Sequence, residues 1–111
     1  MVSLCLDTPS GISILAGYEY GRQLWETQAT SLNINDYFTI HLSNEIESMS
    51  SSFIDGFFAK AIETIGVEDL INRLHVIGND YLDHHIKEIL SEYMEGRDNN
   101  ENNIIERTPN R

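Results

Sequence analysis

Four hydroxyls in five positions, at Ser48, Ser50, Ser51 and Ser52, stand immediately before the most apolar stretch of the sequence, Phe53 to Ile65. The first backbone N–H groups of a helix have no partners within it, and a serine hydroxyl placed there accepts from them, stabilising the helix by about 1 kcal/mol. Four serines exceed what one cap requires. The positive end of the helix dipole also favours an anion. A phosphate ester on one of these hydroxyls would bring roughly two negative charges to a place where N–H groups point outward. By side-chain chemistry alone the run is first a helix cap with spare polar turn residues, and second a candidate modification surface.

Other constellations carry less. His84 and Glu88 stand four apart, with Asp80 one turn earlier, a spacing that puts them on one helical face and invites a metal. Structural zinc ordinarily takes four close ligands, and no cysteine joins this group. An exposed acidic helix surface is the expectation, with no metal and no cofactor. His85 falls on the apolar face with Leu82, Ile86 and Ile89, which predicts a hydrogen-bonded group at the edge of the core. Ser51, His41 and Glu45 supply the residue types of a nucleophile, a base and its orienting acid. The sequence has no Gly-x-Ser-x-Gly elbow, however, and no phosphate-binding loop, dinucleotide fingerprint or paired catalytic carboxylates. A non-enzymatic protein is expected.

The elements that must position these residues follow from periodicity. Phe53, Ile54, Phe57, Phe58, Ala61, Ile62 and Ile65 recur at steps of one, three and four, the pattern of a helix with one broad buried face. Tyr81, Leu82, His85, Ile86, Ile89, Leu90, Tyr93 and Met94 repeat it in a last helix, which Asn79 or Asp80 could cap and which Gly96 follows. A weaker first helix carries Tyr18, Leu24, Trp25, Gln28 and Ala29, with Gly17 and Gly21 each lowering its helicity by roughly 1 kcal/mol relative to Ala. Extended segments are predicted at Val2 to Leu6, Ile12 to Leu15, Tyr37 to Leu42 and Leu74 to Ile77. Strands and helices alternating in this way assemble a mixed or mostly parallel sheet of about four strands, covered here by three helices.

The chain has 111 residues, enough for one core, with 18 acids against 7 Lys and Arg. Residues 96–111 hold five Asn and balanced charge, so residues 1–95 are expected to form the domain and 96–111 a disordered polar tail. The formal charge of −11 then falls wholly on the domain, where fifteen acids face Arg22, Lys60, Arg73 and Lys87. Such a field repels phosphate backbones and anionic lipid, which argues against nucleic acid and membrane as direct partners. Cys5, the single cysteine, rules out an internal disulfide and is expected as a small buried hydrophobe, which suits a reducing compartment. The absence of a long apolar run agrees with a cytoplasmic location.

The stretch Ile40 to Lys60, IHLSNEIESMSSSFIDGFFAK, resembles the STAS-like family, in which a strand runs into a Ser-Ser-Phe turn followed by an acid and an apolar helix. Weaker likeness, through Gly21-Arg22, Leu74 to Ile77 and the helix beginning near Asp80, extends it to roughly residues 12–95. The family is related in fold to anti-sigma-factor antagonists, and the resemblance implies a regulatory protein-binding module. In those relatives a kinase of the GHKL ATPase type phosphorylates a serine at this helix start. By position the candidate here is Ser51, with Ser50 and Ser52 as alternates. Ser48, Ser50, Ser51, Asp55 and Glu47 would contact a protein partner, a GHKL-type ATPase or an anti-sigma-like regulator. Ser50 occupies the place of the relatives' Asp, and the acid pair after the Phe is reduced to Asp55 followed by Gly56.

Charge supports a competing expectation. A compact acidic protein could act as a phage-type inhibitor, presenting carboxylates as a nucleic-acid mimic to a basic nucleic-acid-binding protein. Such an inhibitor would lose binding steeply with salt and ignore Ser51→Ala, whereas a switch would respond to Ser51→Asp.

Overall fold

Phe38 and Ile40 alternate with Thr39 and His41, and this period-two segment is the central strand of the molecule. The computed structural model describes residues 2–78 and 80–102. In chain order it contains β1 (Val2–Cys5), β2 (Ile14–Leu15), α1 (Tyr18–Leu24) continuing as a π-helical turn (Trp25–Ala29), β3 (Phe38–His41), β4 (Ser48–Met49), α2 (Ser51–Ile65), α3 (Val67–Arg73), β5 (Leu74–Ile77) and α4 (Asp80–Asn102). The strands make a parallel three-stranded sheet in the order β1-β3-β5 and a parallel two-stranded ribbon, β2-β4. The α/β class with a mostly parallel sheet is therefore as predicted. The structure adds the helix α3 and the two-residue strand β4 to the expected elements.

Register decides which face of the sheet is covered. Leu4, Ile40 and Val76 lie side by side, as do Phe38 and Leu74, and of these all but the partly buried Leu4 are fully buried. Successive strand residues point to opposite faces, so Ser3, Cys5, His75 and Ile77 fall on the other side, where they are exposed. Cys5 is thus not the buried hydrophobe expected from its apolar neighbours. Its position in the strand period turns it away from the helices.

On the inner side Leu6, Ile40, Leu42, Met49, Phe53, Phe57, Phe58, Val76 and Ile86 close around a void of about 10 Å³, too small for a ligand. The predicted faces of α2 and α4 meet here: Phe53, Ile54, Phe57, Phe58, Ala61 and Ile62 are buried, and so are Leu82, Ile86 and Leu90. Trp25 meets Phe57 edge-on at 5.2 Å between ring centroids, and Phe57 meets Phe58 at 4.9 Å, the T-shaped geometry that aromatic quadrupoles favour.

Gly21 explains how α1 reaches α2. A Cβ there would lie 2.8 Å from the Phe57 backbone nitrogen and nearer still to the Phe53 carbonyl, while one on Gly56 would overlap the Tyr18 backbone. The two glycines let the helices cross with their backbones almost touching, so the helicity lost at Gly21 is offset by packing. After Leu24 the helix widens into the π turn, where the Thr27 hydroxyl donates to the Gln23 carbonyl at 2.9 Å and competes with the regular ladder.

One helix end differs from expectation. α4 runs through Gly96 to Asn102, because one interior glycine costs only about 1 kcal/mol when its neighbours favour helix. Residues 103–111 lie outside the described residues, as do Asn79, one of the two expected caps, and the side chains of Tyr93 and Met94. Among the described residues no helix is long and apolar enough to cross a membrane.

Candidate functional site

The serine turn is built by the small ribbon. Ile14 pairs with Ser48 and Leu15 with Met49, and the Ser13 carbonyl accepts from the Glu47 and Ser48 N–H groups at 2.8 and 3.3 Å. The ribbon ends where the Ser50 N–H donates to the Leu15 carbonyl at 2.9 Å. This fixes the entry angle of α2. Leu15 and Met49 point inward and are buried, while Ile14 and Ser48 share the outer face.

Ser50 is the N-cap. Its backbone is extended (φ −75°, ψ 157°), and its Oγ accepts from the Phe53 N–H at 3.1 Å, satisfying one of the orphan donors of the first turn. The Gly17 N–H donates to the same oxygen at 3.4 Å. Gly17 adopts φ 98°, a conformation that favours glycine, and so brings the start of α1 onto the start of α2. A third contact, 3.0 Å, joins Ser50 Oγ to Ser52 Oγ. A serine oxygen has two lone pairs, and the two N–H groups take both. The Ser50 hydroxyl must then be the donor and Ser52 the acceptor.

Ser51 stands apart from this arrangement. It occupies the first position of α2, is exposed, and its hydroxyl makes no hydrogen bond to another described residue. Ser52 is exposed as well but receives the Ser50 proton. The three serines that the sequence could order only by resemblance therefore differ in chemistry. Ser50 is consumed by structure, Ser52 is half engaged, and Ser51 is open to solvent.

Neighbouring groups complete the site. Glu47 is exposed and Ser48 half-buried on the outer side of β4, and Asp55, half-buried one turn into α2, is hydrogen-bonded or otherwise engaged within the fold. His85 Nε2 lies 3.1 Å from the carbonyl oxygen of Met49, the residue before the cap. Its ring stacks on that of the exposed Tyr81 at 5.4 Å and 9°. The expected hydrogen-bonded core-edge histidine is present, and its partner ties α4 to the serine turn. The apolar phase of α4 located His85 in the sequence, but no local signal identified Met49, 36 residues away, as its partner.

The catalytic and metal constellations are not assembled. The Glu45 carboxylate accepts from the Gly11 N–H at 3.2 Å, and no hydrogen bond among the described residues links Ser51, His41 and Glu45. Among the described residues no group of three or more His, Cys, Asp or Glu is placed to hold a metal. A cleft of about 230 Å³ runs along the seam of α1 and α2, lined by Tyr18, Trp25, Gly56 and Lys60 among others. Its two cations are already paired, Arg22 with Glu19 and Glu26, and Lys60 with Glu63.

No curated protein and no solved structure matches the chain. A family model described as a STAS-like domain of unknown function matches residues 20–83, more than half of the chain. The match runs from α1 through β3, the serine turn and β5 into the first turn of α4; it takes in Ser48 to Asp55, while β2, Gly17 and His85, which support the turn, lie outside it. The chain belongs to the family of STAS-like domains of unknown function.

Proposed function

We propose that this domain is a non-catalytic regulatory module that binds another protein through the surface around the serine turn, and that phosphorylation of Ser51 controls that binding. The observation that carries this reading is the division of labour between adjacent serines: Ser50 holds the helix start, leaving Ser51 exposed beside it at the positive end of α2. A phosphate at Ser51 would sit near the free N–H groups of the first turn without breaking the cap, changing the local charge by about two while the fold is kept. Ser52 is the alternate site. Ser48 and Glu47 flank the surface, and Asp55 lies one turn along the same helix. The kinase would be of the GHKL ATPase type and the binding partner an anti-sigma-like regulator, in a cytoplasmic setting.

The test is the affinity of a partner co-isolated from the native cell for three forms of the chain. Ser51→Asp should shift that affinity by about tenfold, about 1.4 kcal/mol, while Ser51→Ala binds like the unmodified protein. Equal binding of the Asp and Ala forms would overturn the switch.

A further inference from the structure

Resting on the reading of the serine turn as a binding surface, we infer that the partner presents a segment with an apolar centre flanked by Lys or Arg. Seven large apolar side chains are exposed among the described residues: Val2, Ile12, Ile14, Tyr18, Tyr37, Ile77 and Tyr81. Two of them flank the serine turn from separate parts of the chain, whereas Tyr18 lines the cleft along the α1–α2 seam. Ile14, 60% exposed, sits beside Ser48 on the outer face of the ribbon. Tyr81, 56% exposed, stacks on the histidine that reaches the Met49 carbonyl. Exposed apolar groups scattered singly are ordinary, but a convergence on one polar turn marks an interaction surface.

Charge selects the occupant. The domain's four cations are all engaged with acids of their own helices: Arg22 with Glu19 and Glu26, Lys60 with Glu63, Arg73 with Asp69, and Lys87 with Asp83. Glu45 and Glu47 on the approach to the turn, and Asp80 beside Tyr81, have no cation among the described residues. An apolar patch with an acidic rim is complementary to an apolar segment with a basic rim. A second copy of this chain would carry the same acidic rim to the same place, and an anionic membrane would be repelled likewise.

The probe is a synthetic amphipathic peptide with a Leu and Phe centre and Lys flanks, compared with Glu-flanked and Ser-flanked counterparts, titrated into the isotope-labelled full chain by NMR. The Lys-flanked peptide should shift amides within residues 13–18, 47–52 and 80–85. Ile14→Ser with Tyr81→Ser should weaken it about tenfold, and Ile77→Ser, on the far face of the sheet, should leave its affinity unchanged; all variants must keep the native spectral dispersion. Shifts spread over the whole acidic surface, equal weakening by Ile77→Ser, or no shift at the turn would overturn the inference. Binding at the turn by the Glu- or Ser-flanked peptide as tight as by the Lys-flanked one would overturn the charge assignment and leave the turn standing as a binding surface.

Discussion

The side chains of Ser50, Ser51 and Ser52 show how one residue type takes three roles in consecutive positions. Because Ser50 Oγ accepts two N–H groups and its proton goes to Ser52, Ser50→Ala removes a cap and the tie to Gly17 together. It should lower the unfolding free energy by about 1–2 kcal/mol in urea or guanidinium titration. Ser51→Ala, by contrast, should fall within about 0.5 kcal/mol of the parent, as surface substitutions do. A stability loss at Ser51 as large as at Ser50 would contradict the assignment of roles. The sequence could nominate all three serines, since each is a good cap residue, but the choice among them depends on a contact from Gly17, 33 residues away. Cys5 went the other way for a similar reason: its apolar neighbours predicted burial, and only strand phase relative to β3 decides that it faces solvent.

Among the elements, the meeting of α1 and α2 is the most demanding. A methyl at Gly21 or Gly56 would be driven into the backbone of the facing helix, so Gly21→Ala and Gly56→Ala should each destabilise by about 1–3 kcal/mol despite the better helix propensity of alanine. Thermal unfolding followed by circular dichroism checks the sign; a gain in stability would show that the crossing is looser. His85→Leu should cost about 1 kcal/mol by leaving the Met49 carbonyl without its partner, and should move the amide resonances of Ser50 and Ser51. The long elements were legible because their periods are sustained: the seven apolar positions of α2 and the stripe of α4 leave little alternative. α3, with only Val67 and Leu70 buried in seven residues, is too short to display a period. β4, two residues long, exists because the ribbon pairs it with β2. Gly21 was counted against α1 in the sequence, and only the facing helix shows what its missing side chain is for.

At the scale of the whole molecule the acidic excess is concentrated on the domain, and the intrahelical ion pairs use up its cations. Self-repulsion of this kind opposes compactness and is screened by salt, so the melting temperature should rise between low and about 0.5 M sodium chloride. A fall would mean that exposed ion pairs outweigh the repulsion. The same charge keeps the mimic alternative testable, since binding of a nucleic-acid mimic would weaken steeply with salt and be indifferent to Ser51. In the proposed switch, Ser50 is scaffold and Ser51 is the modified group. Site-resolved mass spectrometry of the chain isolated from its native cell tests it most directly. Phosphate on Ser51, with Ser50 unmodified, is the predicted result; phosphate on Ser50, or a chain that copurifies with its partner and carries no phosphate in any growth condition, would contradict it.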